Sequence, residues 1–103
     1  MADRRQLGLP AEQVVLPGEL KKAGYVTGIF GKWHLGYEPH FNPIEHGWDE
    51  FFGYLGGNVH YFNHRETSDL HVLFRGRLPV HSEGYMTHLI TGSSTDFIAR
   101  NKN

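Results

Sequence analysis

Lys32 and His34, separated by Trp33 in the stretch GYVTGIFGKWHLG, are the side chains of this sequence whose types and spacing suit joint action on one anionic group. An ammonium supplies a compact positive charge, and an imidazole can donate a hydrogen bond or exchange a proton near neutral pH. On an extended backbone, residues two apart point to the same side, so both groups would converge on the same oxygens. The plain alternative is a lysine that solvates a strand end and a histidine packed beside Trp33. Spacing alone leaves both open.

The other candidate chemistry is weaker. The chain has 8 histidines and no cysteine, which excludes disulfides, thiolate metal sites and a cysteine nucleophile. His60 and His64 stand at a spacing that zinc-binding loops use. The nearby acids, Asp49 and Glu66, form no ligand frame with them, so solvated or packing roles take precedence and no metal ligand is assigned. His71 and His81 could face each other across a hairpin. Ser93 and Ser94 lie in TGSST, which lacks the G-x-S-x-G elbow. Gly31 and the pair Gly56-Gly57 make neither a P-loop nor a G-x-G-x-x-G, so nucleotide binding has no motif. Asp49, in GWDEFFG, suits capping a turn or holding a loop better than catalysis.

The elements that must position these groups can be read from periodicity. A chain of 103 residues, 39% hydrophobic and 20% charged, is long enough for one small globular unit with a thin stability margin. Its net charge of -1 carries no electrostatic footprint for nucleic acid or an anionic membrane. The first residues hold no apolar core of signal-peptide type, and no run is long enough to span a bilayer. Residues 1–11 read as a loop or frayed end. From Glu12 to Ala23 the pattern predicts a short helix with Val15, Leu16, Leu20 and Ala23 on one face, Pro17 in its first turn and Gly24 beyond its last.

A buried strand is predicted over Tyr25–Phe30, with Lys32 and His34 at its carboxyl end, where α/β sheets usually hold ligands. After Gly36 no helix or strand period is sustained. That segment predicts a structured loop, in which Trp48, Phe51, Phe52 and Tyr54 form one helical turn or a packed aromatic patch. The run DLHVLFRGRLPVHSEGY predicts a hairpin turning at Gly76. From Thr87 to Asn101 the apolar spacing predicts a helix, weakened or split in two at Gly92-Ser93-Ser94.

Two ordered blocks carry a resemblance. LKKAGYVTGIFGKWHLG followed by FNPIEHGWDEFFGYLGG strongly resembles the formylglycine-dependent sulfatases, in which G-K-W-H-L-G is a signature and G-[FW]-D-x-F-x-G a common companion. The tail GYMTHLITGSSTDFIARN looks like the family's G-Y-x-T-D-x-x-T-x-x-A-x-x-F-I helix, so the likeness spans about Leu16 to Asn101. It implies an α/β fold: part of an alkaline-phosphatase-like sandwich, here in the order helix, strand, loop, hairpin, helix, with 1–103 an internal fragment of the catalytic domain. It also implies that Lys32 contacts the sulfate and the formylglycine. His34 would hydrogen-bond the formylglycine hydroxyl and assist sulfate release from the covalent intermediate. His60 is a further candidate for contacting substrate from the aromatic loop.

The implied reaction is hydrolysis of sulfate esters of sugars or aryl alcohols, with calcium as cofactor and a sulfated small molecule or glycan as partner. This sequence departs from the family pattern in what surrounds the pair. The nucleophile motif C-x-P-S-R or S-x-P-S-R is absent, as are the paired aspartates and the Asp-Asn or Asp-Gln pair that bind calcium. The family's second histidine and second lysine would lie past Asn103. The chain is therefore expected to be silent by itself and to need the remainder of a sulfatase domain. Val15 replaces a capping threonine and His88 an aspartate. A central strand stripped of its neighbours is expected to leave unpaired edges and apolar faces. Family members are often exported, periplasmic or lysosomal. The alternatives are a non-catalytic remnant that binds anions or a partner through the same corner, and phosphatase or phosphodiesterase chemistry on the same fold.

Overall fold

A computed structural model describes residues 7–13, 15–65 and 73–102. The first helix, α1, covers Leu16–Lys22 and begins at Leu16 rather than at Glu12. Pro17 sits in its first turn, where a missing N–H costs nothing. Val15 occupies the N-cap without a side-chain cap bond, and Gly24 takes the left-handed conformation beyond the end, at φ 92°. The predicted apolar face is not a buried face. Leu16 is 67% exposed, and the helix is seated instead through Pro17 and Gly18 against Gly47.

The strand β1 spans Gly28–Lys32, displaced along the chain from the expected Tyr25–Phe30. Tyr25 and Val26 are exposed because Thr27 is already committed elsewhere. Its N–H donates to Asp49 Oδ2 at 2.8 Å and its hydroxyl donates to the Gly47 carbonyl at 2.9 Å. Pairing in the sheet begins immediately after that anchor.

The largest departure from the sequence reading lies in the segment expected to be loop. Glu50–Tyr54 forms a second strand, β2, parallel to β1, with Ile29 opposite Phe51 and Phe30 opposite Phe52. Two adjacent phenylalanines hid the strand, since period-2 alternation disappears when both faces of a strand are covered. Phe51 points to a core with Trp33 and Leu55, and Phe52 to a second core with Leu73 and Met86. Phe51 and Phe52 therefore form neither a helical turn nor one patch, but alternate between the two faces of a strand. A parallel pair needs a long crossover. Here it runs from Trp33 to Asp49 through two short 3-10 turns, Pro39–Phe41 and Pro43–His46.

Close approach of the two strands depends on glycine. A Cβ at Gly53 would collide with the carbonyl of its register partner Gly31, so no other residue fits there without moving a strand. Beyond β2, strands β3 (Leu73–Arg75) and β4 (Leu78–Pro79) form the expected hairpin, with Gly76 at φ 60° in the turn. Of the pair proposed to face each other, His71 lies outside the described residues. Among the described residues the sheet has four strands in the order β1-β2-β3-β4, so β1 has a single neighbour and one unpaired edge, as expected of a strand stripped of its neighbours.

The chain closes with one continuous helix, α2, over Met86–Arg100. Ser94 survives mid-helix by donating its hydroxyl to the Ile90 carbonyl at 2.8 Å, and Thr95 does the same toward Thr91 at 3.0 Å. The helix lies on the Phe52 face of the sheet. Met86, Leu89 and Ile90 pack there, and the Phe97 ring sits 5.5 Å from that of Phe30. The opposite face is covered by the crossover. Trp33 Nε1 donates to the Phe41 carbonyl at 2.9 Å, and the two nitrogens of buried His46 contact the carbonyls of Asn42 and Leu9 at 3.1 and 2.9 Å.

Candidate active site

The carboxyl end of β1 and β2 is where the expected pair stands. Lys32 is the last residue of β1, opposite Tyr54, and its side chain is exposed. The pairing then continues past the formal strand: Trp33 N donates to the Tyr54 carbonyl at 2.9 Å and His34 N to the Leu55 carbonyl at 3.0 Å. Trp33 turns into the core while Lys32 and His34 face solvent. An extended backbone does not aim His34, contrary to the two-residue argument. His34 adopts φ 58°, in the left-handed region that a residue with a Cβ enters at a cost of about 1–2 kcal/mol.

Glycine again sets the approach. A Cβ at Gly57 would lie 2.8 Å from His34 Cε1 and 2.9 Å from Nε2, so the imidazole rests directly on backbone. The turn after β2 must therefore be bare at that position to leave room for the ring. Leu35, next in the chain, is held by its carbonyl, which accepts from Leu9 N at 2.8 Å. The catalytic candidates thus sit on a short segment pinned on both sides. Among the described residues, neither the Lys32 ammonium nor the His34 imidazole has an ion-pair or side-chain hydrogen-bond partner.

His60 is exposed, and its Nδ1 accepts from Phe62 N at 3.3 Å and from Asn63 N at 3.5 Å. His64, at the zinc-like spacing, is buried and donates from Nε2 to the Gly84 carbonyl at 2.7 Å. One ring braces a turn and the other anchors it. Asp49 holds backbone, as its place in GWDEFFG suggested: besides accepting from Thr27, its Oδ1 pairs with Lys21 at 3.2 Å. The Thr27 N–H, followed by Lys21, holds this carboxyl below its ordinary value of 3.8, against the opposing effect of burial.

Sequence reasoning did not bring Tyr61, Phe62 and Tyr85 together. Tyr61 and Tyr85 stack with ring centres 5.0 Å apart, and Phe62 lies 5.4 Å from Tyr85. The signal available beforehand was two consecutive aromatics in an otherwise polar loop.

The sequence profile of the family described as Sulfatase matches residues 4–103. The chain belongs to the sulfatase family. Mouse N-acetylgalactosamine-6-sulfatase is 36% identical over 104 residues, an alignment covering 88% of this chain and 20% of that protein. The human enzyme of the same name is 59% identical over 46 residues, covering 45% of this chain and 9% of its own length. Human arylsulfatase G is 50% identical over 46 residues, with the same two coverages of 45% and 9%. The crystal structure of Ps i-CgsB in complex with k-i-k-neocarrahexaose superposes with a TM-score of 0.80 at 26% identity, over 94% of this chain and 25% of that one.

This sulfatase chain therefore spans a fifth or less of the curated relatives and about a quarter of the solved structure. Its mixed sheet with an overlying helix is part of the alkaline-phosphatase-like sandwich, as the resemblance implied. Among the described residues no group of three or more His, Asp or Glu side chains converges to hold a metal ion.

Proposed function

We propose that the Lys32–His34 corner is the sulfate-binding half of a sulfatase active site. The observation that carries this reading is the pair of exposed groups on either side of buried Trp33, unpartnered among the described residues, one of them held at a positive φ. Strain in a residue other than glycine, kept in place by Gly57 and the Leu55 carbonyl, is a feature that concentrates at functional positions. The names of the relatives support the substrate class: they act on a 6-sulfated N-acetylgalactosamine or on aryl sulfates.

In this reading the Lys32 ammonium binds sulfate oxygens and offsets the charge that grows as the ester S–O bond breaks. His34 hydrogen-bonds the hydroxyl of the nucleophile and assists release of sulfate from the covalent intermediate. The amino terminus of α2 lies at the same end of the sheet, since its other end is tied to the start of β2 through Arg100 and Glu50, and its partial positive charge adds to the field there. The nucleophile, formylglycine in the parent family, comes from a motif that these 103 residues lack. The isolated chain binds sulfate without turning over a sulfate ester.

Titration of the chain with sodium sulfate, followed by amide NMR, tests the reading. The expected shifts cluster at Gly31 to Leu35 and vanish in Lys32→Ala. Absence of shifts throughout the spectrum would refute a pre-formed anion site. Turnover of an aryl sulfate that disappears in Lys32→Ala would overturn the claim that the chain is silent.

A further inference from the structure

The loop 60–65 is heavily braced for a segment that exposes large rings. His60 N donates to the Arg65 carbonyl at 2.8 Å, His64 N to the His60 carbonyl at 3.0 Å, and Arg65 N to Asn63 Oδ1 at 2.9 Å. His64 Nε2 fastens the loop to Gly84 at 2.7 Å, and Met86 N donates to the Tyr61 carbonyl at 2.8 Å. Yet Tyr61 and Phe62 stay 54% and 65% exposed. Hydrogen bonds on this scale, spent to hold two apolar rings outward, describe a recognition surface rather than a stray hydrophobic contact.

We infer that Tyr61, Phe62 and Tyr85 form a platform on which a pyranose ring of the sulfated glycan stacks, at the same end of the sheet as the Lys32–His34 corner. The inference rests on the sulfate-binding reading of that corner and extends it to the sugar. The chemistry of the patch favours a sugar over an aliphatic partner. Exposed aromatic rings such as Tyr61 and Phe62 suit the C–H face of a pyranose. Exposed His60, Asn63 and His88 surround them with groups that can bond hydroxyls, and His88 meets Tyr85 edge-on at 5.2 Å.

Continuity with the corner comes through Tyr54. As the register partner of Lys32 in a parallel pair, it shares a sheet face with that lysine. Burial, and secondarily the neighbouring Tyr61 phenol, pushes the Tyr54 hydroxyl up from its ordinary value of 10.0. The platform reaches the same end of the sheet by backbone, since the Tyr61 carbonyl accepts from Met86 N at the start of α2.

The test compares two probes on the 103-residue chain by NMR: inorganic sulfate and N-acetylgalactosamine 6-sulfate. Inorganic sulfate is expected to shift Gly31 to Leu35 alone, whereas the sugar sulfate also shifts Tyr61, Phe62 and Tyr85. The double variant Tyr61→Ala/Phe62→Ala is expected to weaken sugar-sulfate binding by about five- to tenfold and to leave the inorganic sulfate response intact, which also reports that it is folded. Sugar-sulfate shifts confined to Gly31–Leu35 would overturn the platform and leave the sulfate corner standing. Shifts at the platform without any at Gly31–Leu35 would keep the platform and refute the corner. Protection of Tyr61 from nitration by tetranitromethane that grows with protein concentration would assign the patch to a second copy of the chain and overturn the inference.

Discussion

The two ends of the β1–β2 pair use their charged and titratable groups in opposite ways. At the amino end every charged group is answered. Asp49 accepts from Thr27 and pairs with Lys21, and Glu50 takes two bonds from Arg100 at 2.7 and 2.9 Å, whose Nε reaches Asp96 at 2.8 Å. At the carboxyl end, five residues along each strand, Lys32 and His34 stand unanswered among the described residues. Charges that hold a fold are compensated within it; charges meant for a ligand are left for the ligand to compensate. In the proposed reading the same two strands thus have a structural end and a receptive end.

Breaking what both ends share should have the largest effect. Gly53→Val places a branched side chain against the Gly31 backbone and is expected to cost about 3 kcal/mol or more, read as loss of the folded baseline in a urea melt. A variant as stable as the parent would show that the strands do not depend on this close approach. Next in size, Asp49→Ala strips the acceptor from the Thr27 N–H and is expected to cost about 1–3 kcal/mol without changing the sulfate response at Gly31–Leu35. Loss of that response with stability preserved would couple the two ends in a way the hydrogen bonds do not.

Acid sharpens the same contrast. Asp49 and Glu50 both titrate below their ordinary values of 3.8 and 4.5, Asp49 chiefly through the Thr27 N–H and Glu50 chiefly through Arg100. Stability from a depressed carboxyl is present in full above those values and fades as pH falls through the lower folded ones. Urea midpoints should therefore drop as pH falls below about 4, and Asp49→Asn should flatten that slope. The smallest effect on stability is expected at the receptive end. Lys32→Ala should change it by less than about 0.5 kcal/mol while abolishing the sulfate shifts. A large loss of stability would mean that Lys32 is a structural charge after all.

How much could be read beforehand follows the range of the forces. Pro17, Gly24 and Gly76 act through local backbone limits, so α1, its stop and the hairpin turn were legible, as was α2. The G-K-W-H-L-G block was legible because a motif is local too. β2 was not, because EFFGY is apolar on both faces and only the two packed layers reveal its alternation. The start of β1 was misplaced for a similar reason. Thr27 is bound to Gly47 and Asp49, twenty or more positions away, and no window along the chain contains both.

What the sequence by itself determined is the family and the identity of the candidate pair, since both reside in the types and order of neighbouring residues. Tertiary structure alone decided how the pair is presented. Gly57, delivered by a turn from the neighbouring strand, makes room for the His34 ring, and the Leu55 carbonyl holds its backbone at a positive φ. It alone brought Tyr85 from the start of α2 against Tyr61. Parallel pairing joins residues separated by a long crossover, and contacts of that kind exist only once the chain has closed it.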